Sequence, residues 1–99
     1  MIYHIGTFKL ADKARASEAA DLLLKLKDIV PGTADYKVGI NFTDKPTAAT
    51  VCIIGAFETK EDFEAYMAHP VHTAEVAPKI AELCNHEYIE RMASCDFEA

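Results

Sequence analysis

Positive charge is scarce in this chain: ten lysines and arginines stand against sixteen aspartates and glutamates, a formal net charge of −6. The basic residues are scattered singly or in short pairs among acidic ones, which leaves no stripe for a phosphate backbone and excludes a nucleic-acid partner. No apolar run approaches the ~18 residues of a membrane span, and the opening Met1-Ile2-Tyr3-His4 carries neither a basic stretch nor a small-residue cleavage site. The expectation is a chain with no membrane partner and no secretory signal. Cysteine is sparse too: Cys52, Cys84 and Cys95 form an odd set, and Cys52 lies inside an apolar run where a thiol behaves as a small hydrophobe. A reducing, cytoplasmic setting follows. There is no phosphate-binding glycine loop, no nucleophile elbow and no dinucleotide fingerprint, so no cofactor is expected. His69, His72, Cys84 and His86 fit no established zinc spacing, and no metal site is assigned.

What remains is ordinary globular material. The 99 residues are 51% hydrophobic and 26% charged, with no linker or repeat, and make one domain. Met1 to Leu10 reads as a strand, and Ala14 to Val30 repeats Ala19, Leu22, Leu23, Leu26 and Ile29 or Val30 at helical spacing up to the stop at Pro31-Gly32. Tyr36, Val38, Ile40 and Phe42 alternate with polar residues or glycine as in a second strand, and Thr50 to Phe57 forms a third. Thr59 with Asp62 three residues on has the form of a capping box for the next helix. That helix ends at His69-Pro70, a further segment runs from about Val71 to Leu83 with a kink at Pro78, and Glu87 to Phe97 closes as a strand. The order β-α-β-β-α-β predicts a ferredoxin-like α+β fold, a four-stranded antiparallel sheet with helices on one face.

The opposite sheet face is the anomaly. Ile2, Phe8 and Leu10 share one face of the first strand with His4 and Gly6, leaving Tyr3 and Ile5 on the other; in the third strand Val51, Ile53 and Phe57 oppose Cys52, Ile54 and Ala56. Two helices cover only one face, so an apolar face is left over that is too large for a monomer. A homodimer with sheets packed face to face closes it.

The chemistry-bearing stretch is Tyr66-Met67-Ala68-His69-Pro70-Val71-His72. A phenol and an imidazole on either side of a helix break can converge on one cavity and move protons near neutral pH. The same residues also read as a core aromatic, a cap and a first-turn histidine. Small residues at Gly6 and Gly55, on the strand faces with His4 and Ile53, leave room either for a ligand or for close helix packing. With His69 and Phe8 they are the candidate pocket residues, and the ligand expected there is mostly apolar with one or two carbonyls.

On Met1-Ile2-Tyr3-His4-Ile5, the Ile29-Val30-Pro31-Gly32 turn, the block from Phe57 to His72 and the closing Asp96-Phe97-Glu98, the chain resembles the stress-responsive A/B barrel family, the dimeric α+β barrel domains. The resemblance covers nearly the whole chain. It implies a dimeric barrel, and the family includes plant polyketide cyclases that run a cofactor-free intramolecular aldol condensation with a tyrosine and a histidine. Carried over, His72 stands where the general base would be, Tyr66 where the phenol steadies a carbonyl, and His4 lines the same cavity. Two readings follow: a homodimer that binds a small apolar carbonyl compound, or a cofactor-independent lyase or cyclase that uses those three residues.

Overall fold

The computed structural model describes residues 1–99, the side chains of Tyr88 and Ile89 excepted. Four strands, β1 (Ile2–Phe8), β2 (Thr33–Ile40), β3 (Val51–Phe57) and β4 (Met92–Glu98), form one antiparallel sheet in the order β2-β3-β1-β4. This is the ferredoxin-like arrangement that the element order predicts. The first and last strands of the chain are neighbours, in a register that sets His4 against Asp96 and Gly6 against Ser94.

Alternation along β1 buries Ile2, His4, Gly6 and Phe8 under the helices and leaves Tyr3, Ile5 and Thr7 half-buried on the far side. In β3, Val51, Ile53 and Phe57 join the core with at most 2% exposure, whereas Ile54 is 44% exposed. Tyr3 stacks on Phe97 across the open face, ring centroids 5.3 Å apart. That face therefore carries isoleucine and aromatic surface with no helix over it.

Helix α1 (Ala16–Leu24) buries Ala19, Leu22 and Leu23, one stripe at i, i+3 and i+4 spacing. It is shorter than its apolar period predicts. The amides of Lys25, Leu26 and Lys27 bond carbonyls only three residues back, and Asp28 then turns into the left-handed region at φ 59. Leu26 and Val30 still reach the core, at 2% and 5% exposure, from a turn rather than a helix. Helix α2 (Lys60–Ala68) starts as predicted: the Asp62 amide donates to Thr59 Oγ1 at 3.1 Å. The Asp62 carboxylate accepts from the Thr59 hydroxyl at 2.8 Å. It stops at His69, whose ψ of 137° is the extended backbone that a following proline demands.

The expected kink at Pro78 is not where the irregularity lies. Residues Val71–Val76 form a π-helical turn, in which the Ala77 amide reaches the His72 carbonyl five residues back. Pro78 then sits in the first turn of α3 (Ala77–Leu83), where a missing N–H costs nothing. The closing strand also begins later than predicted, because Tyr88–Arg91 makes a helical turn, α4, beside the Arg91–Glu87 ion pair at 2.6 Å. Among the described residues no helix is long and apolar enough to cross a membrane.

Candidate functional site

The site is assembled by three chain segments that meet beneath the helices. β1 points His4 inward, 6% exposed, and the strand register places Asp96 beside it. A carboxylate only accepts, so the His4 Nδ1–H donates to Asp96 Oδ1. This fixes the tautomer and leaves the other ring nitrogen of His4 for a second partner. The Asp96 side chain is 42% exposed, so the pair links buried site to solvent.

The last turn of α2 contributes Tyr66, which is fully buried. Its ring lies edge-on to both imidazoles, 5.6 Å from His4 and 5.2 Å from His72, and rests on Phe57 at 4.9 Å. Its hydroxyl shares a 3.0 Å hydrogen bond with that of Tyr36. Burial pushes the Tyr36 phenol up to about 12, so it stays protonated across the physiological range. Gly55 makes this packing possible: a Cβ there would come within 3.1 Å of the Phe57 ring and 3.3 Å of the Tyr36 ring.

His72 enters from the π-helical turn. Its Nδ1 is shielded from solvent and has no hydrogen-bond partner among the described residues. Burial, with the nearby His4 charge adding to it, pushes the His72 pKa below the usual imidazole value. A neutral ring with an open nitrogen results near pH 7. The same shift has a stability consequence. Because the folded chain resists protonating His72, the unfolded chain takes up the proton first as pH drops through 6.5. Stability from this group is complete above that value and declines below it. Thermal melts are expected to begin to fall as pH drops below about 6.5, before most carboxylates protonate, and His72→Phe is expected to flatten that decline. Equal slopes in both proteins would remove the assignment.

Between these segments lies a cavity of about 90 Å³. His4, His72, Ser94 and Asp96 supply its polar groups, and most of the remainder is apolar, including Leu23 and Leu26. The exposed side chains of Met67, Ser94 and Asp96 mark its mouth. A wider surface cleft of about 400 Å³ borders the β2–β3 loop with Lys9, Lys13 and Lys45, but it holds no buried titratable group.

Of the residues singled out in the sequence, His4, His72, Gly6, Phe8 and Ile53 line the cavity. Tyr66 stands behind the two histidines rather than in the lining, and Gly55 lies beneath Phe57 and Tyr36. His69 is turned to the backbone, where its Nδ1 accepts from the Val71 amide at 3.1 Å. Asp96, Ser94 and Tyr36 are the partners that motif reading missed. The signal for Asp96 and Ser94 is the alternation of the last strand, which puts both on the face of Met92; nothing in the sequence flags Tyr36. Among the described residues no group of three or more histidine, cysteine or acidic side chains is gathered to hold a metal.

An antiparallel ferredoxin-like sheet with a histidine–carboxylate pair and a second, neutral histidine under its helices defines a small α+β domain with a buried polar cluster. The sequence matches the stress responsive A/B barrel domain over residues 2–99, and the chain belongs to that family. No curated protein matches it in sequence. Among solved structures, a dimeric ferredoxin-like protein of unknown function from Jannaschia sp. is similar at a TM-score of 0.78 and 22% identity, over 99% of this chain and 98% of that one. A hydroxynitrile lyase from Passiflora edulis is similar at a TM-score of 0.73 and 16% identity, over 97% of this chain and 90% of that one. A dimeric ferredoxin-like protein from Thermobifida fusca is similar at 0.74 and 18%, over 99% and 90%. At these identities the likeness is one of fold.

Proposed function

We propose that this family member is a homodimer, joined through the open sheet face, that binds a small and mostly apolar carbonyl compound in the cavity beside His4 and His72. The observation that carries the reading is His72 Nδ1. A buried ring nitrogen left without a partner costs about 1–3 kcal/mol. A bound carbonyl offsets that cost by accepting from Nδ1–H, or a hydroxyl does so by donating to the bare nitrogen of the other tautomer. The dimeric state of the Jannaschia and Thermobifida relatives supports the assembly. Imidazole ¹⁵N spectra recorded during addition of 2-butanone test the site: the His72 Nδ1 resonance is expected to move and saturate. His72→Ala is expected to fold and dimerise normally while binding about tenfold more weakly. Unmoved histidine resonances at millimolar ketone would overturn the binding reading.

A second reading is catalytic, and the depressed His72 pKa favours it. A neutral imidazole can take a proton from the carbon next to a carbonyl, while Tyr66, backed by Tyr36, packs behind both histidine rings and holds them in position. His4, held by Asp96, orients the bound molecule. This is cofactor-independent lyase or cyclase chemistry, and the lyase among the structures of like fold supports the class. Exchange of the ketone's α-hydrogens with D₂O reads it directly. Exchange lost in His72→Ala at unchanged stability supports catalysis; exchange no faster than in buffer alone rules it out.

A further inference from the structure

We infer that the bound molecule is compact, an aldehyde or methyl ketone of about four heavy atoms, and that this limit is set by the aliphatic wall formed by Leu23, Leu26, Ile53, Val76 and Ile80. The inference rests on the binding reading above and adds the substrate class. A cavity of ~150 Å³ lined by aliphatic and aromatic side chains holds a benzene ring, so 90 Å³ corresponds by volume to about three-fifths of that molecule. Sites for drug-sized ligands run to roughly 300–1,000 Å³. No polyketide chain fits here.

The wall has little freedom to recede. Its five members are each 1–2% exposed and belong to the single core shared by the sheet and the helices. Close packing makes such side chains poor at yielding volume. Gly6 enlarges the polar end instead, since a Cβ there would sit 3.2 Å from Ile53 Cγ1 and 3.4 Å from the Phe8 ring. The register of β1 with β4 gathers His4, Asp96 and Ser94 on one wall, and His72 faces them from the π-helical turn. One polar head and a short apolar body match that division. A hydrocarbon gains nothing from His72, and an anionic head meets the Asp96 carboxylate.

The test is a ketone series followed by the methyl resonances of Ile53 and Val76 and the ring resonance of His72. Acetone and 2-butanone are expected to shift both sets, with Kd no tighter than about 40 µM for the four heavy atoms of acetone and about 3 µM for the five of 2-butanone. Acetophenone is expected to shift neither in the natural protein and both in Leu26→Ala. Should Leu26→Ala fail to fold, Ile53→Val removes one methylene and is expected to tighten 2-pentanone binding about fourfold. If acetone and acetophenone bind the natural protein alike, the size limit is wrong while the binding reading stands. If no ketone moves His72, the binding reading itself falls.

Discussion

Ile54→Asp is expected to leave the fold intact and halve the sedimentation mass, from a dimer to a single 10.9 kDa chain. Ile54 lies on the open sheet face, 44% exposed, opposite Ile5 in the neighbouring strand and away from the helices. In an isolated chain the carboxylate would remain in water, so the substitution costs little there. Between two packed sheets the same charge loses its hydration without a partner, at several kcal/mol, and micromolar association does not survive that cost. Ile53→Asp is the control. One residue earlier, Ile53 faces the core at 2% exposure, and a charge at that position unfolds the chain instead. A folded Ile54→Asp protein that still sediments as a dimer would move the interface elsewhere.

Phe57→Ala is expected to cost about 3–5 kcal/mol, a large part of the roughly 5–15 kcal/mol that holds such a domain together. Phe57 is fully buried and its ring lies 4.9 Å from that of Tyr66 and 5.9 Å from that of Phe63, so its loss leaves a void under the ring that backs the two histidines. For a chain of this size the melting temperature should drop by at least about 12 °C. The His4 and His72 ring signals should broaden at temperatures below the melt, as Tyr66 loses its support. A drop of a degree or two would mean that neighbouring side chains collapse into the space.

The fold was largely legible in the sequence because its strongest signals are periodic. β1 alternates strictly and β3 does so up to Gly55, so period 2 puts Ile53 and Ile54 on opposite faces. It does not say which of them faces the helices, and the expectation of Ile53 at the inter-sheet contact is reversed: Ile53 is 2% exposed in the core and Ile54 44% exposed on the open face. Thr59 marked a helix start and His69-Pro70 a stop through local backbone chemistry. The misjudged boundaries have a common cause. Leu26 and Val30 keep the helical spacing of α1 after the helix has ended, since burial constrains where a side chain goes and not which backbone carries it. Pro78 drew attention as a helix breaker, yet at the first turn of α3 it breaks nothing.

The site was half legible. Tyr66 and His72 stand out through their spacing around a break, but Asp96 is paired with His4 across 92 residues of sequence, a relation that only strand register reveals. The Tyr36–Tyr66 pair is equally remote from motif reading. Tyr36 looked like one more alternating strand residue, and its role depends on the absence of a side chain at Gly55.

The π-helical turn amounts to one amino acid more than an α-helix requires between Val71 and Val76. Removing a single residue there would heal the hydrogen-bond ladder and give a more regular helix. It would also rotate what precedes the deletion by about 100° and shift it by about 1.5 Å relative to α3. Ile80 and Leu83 would stay in the core while His72 swung away from the cavity wall that Ile80 helps to form. A shortened chain would thus keep its architecture and lose the placement of His72 beside the cavity, so the length of this turn, and not the histidine alone, sets the geometry of the site.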